Sequence, residues 1–297
     1  MQLKELTTER RNRATRDLDR MSTLEIVTVM NQEDMTVPRA IRRVLPAIAQ
    51  AVDRVAESFA KGGRLIYVGS GTSGRIGALD ASEALPTFGT GPGMVQFLIA
   101  GGEKALTRAT EASEDSVELG RADMARKKPG KRDVVVGIAA SGITPYTISA
   151  LKYARSKGAG TIAIACNRSS PLGDAADVRI EVEVGPEVLT GSSRLKAGTA
   201  QKLICNMLTT AAMARTGYVY SNLMVNLHLK NNKLLQRGVL ILESLTGVDA
   251  KTAMETLQQA GMSVPVALIM IQSRVSKTEA ARRLRNARGN VRKAIEG

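Results

Sequence analysis

The stretch Val68-Gly69-Ser70-Gly71-Thr72-Ser73-Gly74-Arg75 constrains this chain more than any other. It follows a short apolar, β-rich run, Leu65-Ile66-Tyr67-Val68, and leads into Ile76-Gly77-Ala78-Leu79-Asp80-Ala81, which can continue as a helix. Strand, glycine turn and helix in that order aim free backbone N–H groups at an anion. The glycines let a ligand approach the backbone, and the hydroxyls of Ser70, Thr72 and Ser73 can donate to phosphate oxygens. The same residues spell Gly69-x-Gly71-x-x-Gly74, the dinucleotide fingerprint, with Glu103 following a second strand at Val95 to Ala100. A glycine turn without any ligand satisfies the pattern too.

A second loop weighs between these readings. The buried-strand pattern Asp133-Val134-Val135-Val136-Gly137-Ile138 runs into Ala139-Ala140-Ser141-Gly142-Ile143-Thr144-Pro145-Tyr146. Pro145 suits a first helical turn, and Ser141 and Thr144 flank Gly142 where that helix begins. Two hydroxyl-rich strand-to-helix loops facing one crevice favour a small phosphorylated ligand over a dinucleotide.

The βα pattern recurs at Thr161–Cys166, with a further short strand at Val178–Val182. The expected fold is α/β, a mostly parallel sheet with helices on both faces and its ligand site at the carboxyl ends of the strands. Before the sheet, Ser22-Thr23-Leu24-Glu25 reads as a capping box, and Val37 to Ala60 reads as one long amphipathic helix ended by Gly62-Gly63. After it, Gly185 to Thr199 is a polar loop entering a long helix. Beyond Gly238 short helices are separated by Gly247, Gly261 and Gly289. The division expected is residues 1–60, N-terminal helices; 61–238, the sheet domain; and 239–297, a small helical domain.

The remaining composition excludes several functions. Aromatic residues make up 3% with no Trp, which argues against a base-stacking platform. Cys166 and Cys205 have no metal-ligand spacing and suit a reducing cytoplasm, and His228 stands alone, so a histidine-rich metal site is excluded. No apolar run approaches the roughly 20 residues of a membrane span. The opening Met1-Gln2-Leu3-Lys4 lacks a signal-peptide core. The net charge of +14 raises nucleic acid as a partner. Much of that excess sits between Arg274 and Lys293, where a solvated basic face is the commoner explanation, so nucleic-acid binding is not expected. A positive field also draws in an anionic sugar phosphate.

Binding loops need reactive groups beside them. Two acidic stretches lie near the first loop: Asp80-Ala81-Ser82-Glu83-Ala84-Leu85-Pro86-Thr87 and Glu111-Ala112-Ser113-Glu114-Asp115-Ser116. Glu83, among small and apolar neighbours, is a candidate for burial and a raised pKa. Glu114 is the candidate ionised partner, giving an acid/base pair, although for each of the two a solvated surface acid is the commoner case. If Ser73 to Glu83 form one straight helix, the two ends lie roughly 15 Å apart. Either the helix breaks, or the site is built across two subunits.

With these residues in view the chain closely resembles the N-acetylmuramic acid 6-phosphate etherases, members of the sugar isomerase (SIS) superfamily related to the glucokinase regulatory protein. The likeness covers nearly the whole chain. It is carried by Thr8-Glu9-x-x-Asn12, Leu18-Asp19, Ser22-Thr23, Asn31-x-Glu33-Asp34, Gly69 to Arg75, Leu79 to Glu83, Ile99 to Glu103, Glu114-Asp115-Ser116, Ala140-Ser141-Gly142, Gly185-Pro186-Glu187 and Leu195 to Lys202. The resemblance implies cleavage of a D-lactyl ether by elimination and hydration, with no metal and no cofactor, in a cytoplasmic homodimer that recycles cell-wall amino sugars. It assigns Glu83 as the acid for the leaving oxygen and Glu114 as the base. It places the substrate against Ser70, Gly71, Thr72, Ser73, Ser141, Gly142 and Thr144, with Ser73, Ser141 and Thr144 on the phosphate. It also implies a three-helix C-terminal domain like a ubiquitin-associated fold. Three positions depart from the family pattern: Ala139 where serine is common, Tyr218 where lysine is frequent and Asn226 where aspartate is frequent. A sugar-phosphate-responsive regulator and an aldose–ketose phosphate isomerase are the alternatives on the same fold; the regulator does not need Glu83 and Glu114.

Overall fold

Apolar runs that are hydrophobic on both faces belong inside a parallel sheet, and that is where this chain puts them. In the computed structural model, which describes residues 6–108, 113–229 and 231–297, the strands are β1 (Leu65–Gly69), β2 (Val95–Ile99), β3 (Val134–Ile138), β4 (Gly160–Ala165) and β5 (Val178–Glu181). All pair in parallel, in the order β2-β1-β3-β4-β5. The opening Met1 to Lys4, and Glu111 and Ala112 of the second acidic stretch, lie outside the described residues.

The helices are α1 (Thr23–Asp34), α2 (Thr36–Arg42), α3 (Leu45–Ala60), α4 (Gly71–Phe88), α5 (Val117–Lys127), α6 (Pro145–Ser156), α7 (Pro171–Asp174) and α8 (Lys196–Thr216). They are followed by α9 (Asn232–Thr246), α10 (Ala250–Gln259), α11 (Val264–Ser273), α12 (Lys277–Asn286) and α13 (Val291–Glu296). The capping box at α1 is present: Ser22 Oγ accepts from Glu25 N–H, and the Glu25 carboxylate accepts from Ser22 N–H at 2.7 Å. The single helix expected over Val37 to Ala60 is instead two, α2 and α3. Pro46 is the reason, because it has no N–H to donate and its ring is accommodated only in a first turn, where α3 places it.

The chain divides into two compact units. The first is Met1–Ser82 with Gly93–Thr209, and the second is Glu83–Pro92 with Thr210–Gly297. In the first, Ile66, Val68, Val135 and Ala163 of the sheet meet Met124 of α5 and Tyr146, Ala150 and Leu151 of α6 in one buried cluster. Asp80, on α4, is one of the buried acids of this unit. It accepts from Tyr67 Oη at 2.8 Å, Asn206 Nδ2 at 2.8 Å and Thr209 Oγ1 at 3.2 Å. Burial raises its pKa, opposed by those three hydrogen bonds and by the charge of Lys202.

In the second unit α11 is apolar on every side and packs against α9, α10, α12 and α13. The three helices α10 to α12 are thus flanked by one helix on each side, and α9 carries Gly238 within it. Here the two late departures from the family pattern meet, since Asn226 Nδ2 donates to Tyr218 O at 2.9 Å. An aspartate, an acceptor only, could not make that bond.

The Asp80 network has a measurable consequence. Asp80→Ala removes the acceptor of Tyr67 Oη and Asn206 Nδ2, while Thr209 Oγ1 keeps Cys205 O, and should cost roughly 2 kcal/mol in urea unfolding; Asp80→Asn should cost clearly less, because its amide can still meet all three partners. The folded pKa lies above the unfolded one. The stabilising contribution is therefore complete at low pH and is lost as pH rises through the folded value. As pH rises above about 4 the wild type should lose stability relative to Asp80→Asn.

Candidate active site

The strand order reverses direction at β1, with β2 on one side and β3 on the other, so the crevice beyond the carboxyl ends of β1 and β3 is the natural binding place. Both hydroxyl loops open there. The first turns directly into α4: Ser70 O accepts from Gly74 N–H at 3.1 Å, and Gly71 takes φ +50°. Gly71 has open space around it, so conformation and not crowding calls for glycine. In the second, Gly142 has φ +75° and a Cβ there would stand 2.4 Å from Ser170 Cβ, so it needs glycine on both counts. Gly142 N–H bonds Ala139 O, and Ser141 Oγ accepts from Ile143 N–H at 3.3 Å, shaping the turn ahead of α6.

Glu114 joins the two loops. Its carboxylate accepts from Ser70 Oγ at 3.0 Å and from Thr144 Oγ1 at 3.4 Å, and its backbone oxygen accepts from Tyr146 N–H at 3.1 Å. The half-buried carboxylate faces a cavity of about 420 Å³. Ser70, Gly71, Thr72 and Ser73 line one side and Ala139 to Ser141 with Ile143 to Pro145 the other. Gly142 is not among the residues that line the cavity. Ala139, at the position where serine is common, offers a methyl group to the wall. A larger cavity, about 560 Å³, flanks the edge strand β2. The smaller one is the functional candidate because the hydroxyl loops, two helix N-termini and a carboxylate converge on it.

The sequence reading named the loops but not everything around them. Thr8, Glu9, Asp115 and Ser193 also line the cavity. Thr8 and Glu9 arrive on a short 3-10 turn that is tied down by Asn167. Asn167 Oδ1 accepts from Thr7 N–H at 2.7 Å, and its Nδ2 donates to Ala140 O and Ser141 O of the second loop. The signal was the motif Thr8-Glu9-x-x-Asn12, whose Asn12 donates to Pro186 O at 3.3 Å. Arg75, next after the first loop, does not face the cavity; it donates to Leu106 O and Arg108 O and holds the segment leading towards Glu114.

The polar stretch before α8 is fixed by buried charge. Glu187 accepts from Lys196 N–H and Ala197 N–H at 2.9 Å each, capping α8. Burial raises its pKa, against those two backbone bonds and the Lys196 charge. The Lys196 ammonium, buried in turn, pairs with Glu33 of α1.

Glu83 lies elsewhere. α4 runs unbroken from Gly71 to Phe88 with Pro86 inside its last turn, so of the two alternatives, a broken helix or a site built across two subunits, the break is absent. Glu83 itself is exposed, as a solvated surface acid would be: helical spacing turns Ala84 inward and Glu83 outward. Among the described residues no group of three or more His, Cys, Asp or Glu could hold a metal ion, and no helix is long and apolar enough to cross a membrane.

Comparison with known proteins agrees with this architecture. The model of the glucokinase regulatory protein N-terminal SIS domain matches residues 47–155, and that of the SIS domain residues 117–211. Two solved structures share the fold: a phosphoheptose isomerase from Francisella tularensis, with TM-score 0.53, 19% identity and coverage of 65% of this chain and 98% of that one; and a putative phosphosugar isomerase from Bacteroides fragilis, with TM-score 0.53, 22% identity and coverage of 70% and 98%. The chain is therefore an SIS-domain α/β protein. Among curated relatives, N-acetylmuramic acid 6-phosphate etherase 2 of Lactiplantibacillus plantarum is 51% identical over 99% of this chain and 100% of its own length. The N-acetylmuramic acid 6-phosphate etherase of Serratia proteamaculans is 52% identical over 99% of both. The chain belongs to the N-acetylmuramic acid 6-phosphate etherase family.

The two loop glycines should separate in a thermal unfolding series. Gly71→Ala strains only the backbone and should cost about 1–2 kcal/mol. Gly142→Ala adds a collision with Ser170 and should cost more, with the second loop displaced.

Proposed function

We propose that the chain cleaves the D-lactyl ether of N-acetylmuramic acid 6-phosphate, giving N-acetylglucosamine 6-phosphate and D-lactate. Family membership supports the substrate, and one observation supports the site: Glu114 sits between the two hydroxyl loops, beside the helix starts that suit a phosphate. In the ring-opened sugar the C2 proton is acidified by the C1 aldehyde, and the C3 ether oxygen is the leaving group. Glu114 takes the C2 proton, the C3–O bond breaks, and Glu83 gives a proton to the departing lactate oxygen. Water then adds at C3 of the C2–C3 double bond while C2 regains a proton, with Glu114 assisting. Ser73, Ser141 and Thr144 hold the phosphate, and Ser70, Gly71 and Thr72 complete the substrate wall. No metal or cofactor enters these steps.

Along an unbroken α4 the ten residues from Ser73 to Glu83 span about 15 Å, so a phosphate held at Ser73 stands far from Glu83 of the same chain. The reading that resolves this is a homodimer in which Glu83 comes from the partner subunit. A second observation supports a dimer. α1 contains Leu24, Ile26, Val27, Val29 and Met30, yet none of its residues is buried, and Leu24 is 73% exposed. A helix that apolar needs a partner surface. The same reading places the enzyme in the cytoplasm, in recycling of cell-wall amino sugars, and keeps residues 1–60, 61–238 and 239–297 as its three parts.

The test is D-lactate release from N-acetylmuramic acid 6-phosphate. Glu83→Ala and Glu114→Ala should each lower kcat by roughly 10²- to 10⁴-fold. Mixing the two inactive variants under subunit exchange should restore about a quarter of wild-type activity, because half the dimers would carry one intact shared site. No restoration would place both glutamates in one chain. Tight sugar-phosphate binding without lactate release would instead favour a regulator, and isomerised product without lactate an isomerase.

A further inference from the structure

Among the described residues two buried side-chain atoms lack a hydrogen-bond partner, Thr147 Oγ1 and Gln201 Nε2. The second belongs to a residue that touches the first hydroxyl loop. Gln201, on α8, is 1% exposed, and its Oε1 accepts from Ser73 Oγ at 3.0 Å. Ser73 is itself 8% exposed and lines the cavity. In this arrangement the single proton of Ser73 is committed to the amide, while the amide's own two N–H donors find nothing. A phosphate can only accept, so Ser73 with its proton turned away from the cavity has nothing to give it.

Rotating the Gln201 carboxamide by 180° about its terminal torsion exchanges oxygen and nitrogen with almost no change of shape. Nε2 then donates to Ser73 Oγ, and the Ser73 proton is released towards the cavity. The atom left over becomes an acceptor, and unpaired acceptors are tolerated better than unpaired donors. We propose that Gln201 is a positioning residue for the phosphate-binding hydroxyl of Ser73. Its amide has two settings: one holds the Ser73 proton, and the other directs that proton to a bound phosphate. This rests on the reading that Ser73 faces the substrate phosphate and extends it to a residue for which the loop motifs give no role.

The two settings predict different outcomes for two near-isosteric variants. In Gln201→Glu an ionised carboxylate can only accept, so it keeps the Ser73 proton and adds a repelling charge. The inhibition constant for inorganic phosphate and KM for N-acetylmuramic acid 6-phosphate should both rise about tenfold or more, with kcat moving far less. Lowering the pH should narrow that difference from wild type, because a protonated carboxyl regains an O–H that can donate to Ser73. In Gln201→Met nothing competes for the Ser73 proton but no amide directs it either, so phosphate affinity should fall less than in Gln201→Glu and without pH dependence. Melting curves identify any variant that fails to fold. If both variants weaken phosphate binding equally and without pH dependence, or if neither does while the wild type releases lactate, the positioning role is wrong and the etherase reading stands. If the wild type binds neither inorganic phosphate nor the sugar phosphate, both fall together.

Discussion

The close seating of α4 on the end of β1 is the contact on which the rest of the site depends. Three glycines permit it. A Cβ on Gly69 would stand 2.9 Å from Gly74 N and 2.9 Å from Ile138 O, one on Gly74 would stand 2.9 Å from Gly69 O, and one on Gly77 would stand 2.8 Å from Tyr67 Cβ. With the helix this low, its N–H groups open beside the end of β3, where the second loop begins. A larger residue at any of the three would lift the helix away and separate the hydroxyl loops. The outer glycines of Gly69-x-Gly71-x-x-Gly74 thus answer a packing requirement, and the middle one a conformational requirement. A dinucleotide fingerprint and a phosphate loop share this pattern because both need a helix start brought down onto a strand end.

The polar motifs scattered through the chain are the braces that hold this arrangement. Asn167 ties the N-terminal turn to the second loop, while Glu187 caps α8 and Lys196 draws in α1 through Glu33. Each joins segments more than a hundred residues apart or closes a loop that would otherwise wander. A buried ammonium between carboxylates adds little net stability over a well-packed apolar substitute. Its value here is positional, because α8 also carries Gln201 to the back of Ser73.

How much of this was legible in the sequence follows from the range of the interactions involved. The strands were readable because a doubly covered parallel sheet demands unbroken apolar runs, and the capping box because its two partners are three residues apart. Pro46 carried the break between α2 and α3, but the apolar periodicity of Ile41, Val44, Leu45 and Ile48 passes smoothly across it and hides the boundary. Thr8 and Glu9 could not be placed by any local rule, since what brings them to the cavity is Asn167, 160 residues from Thr7. Glu83 shows how little apolar neighbours in sequence decide: on a helix the residue beside a buried one faces out, and a surface acid is the commoner case. The unburied α1 shows the same limit, because apolar residues in sequence do not tell which surface they will meet.

Among the described residues the cavity wall contains neither lysine nor arginine, although the chain carries a net charge of +14. On the proposed reading anion attraction is therefore divided by distance: the positive exterior draws the substrate in, and helix starts and hydroxyls receive it. This division suits a carboxylate that must take up a proton. An ammonium or guanidinium beside Glu114 could only donate, and would be left facing a neutral acid once the proton arrived. Ser70 and Thr144 can donate to the ionised carboxylate and then turn to accept from its protonated form, so the two loops keep their grip on Glu114 in both states. On the proposed reading Thr144 both holds the phosphate and steadies Glu114, so removing its hydroxyl would disturb binding and proton transfer together.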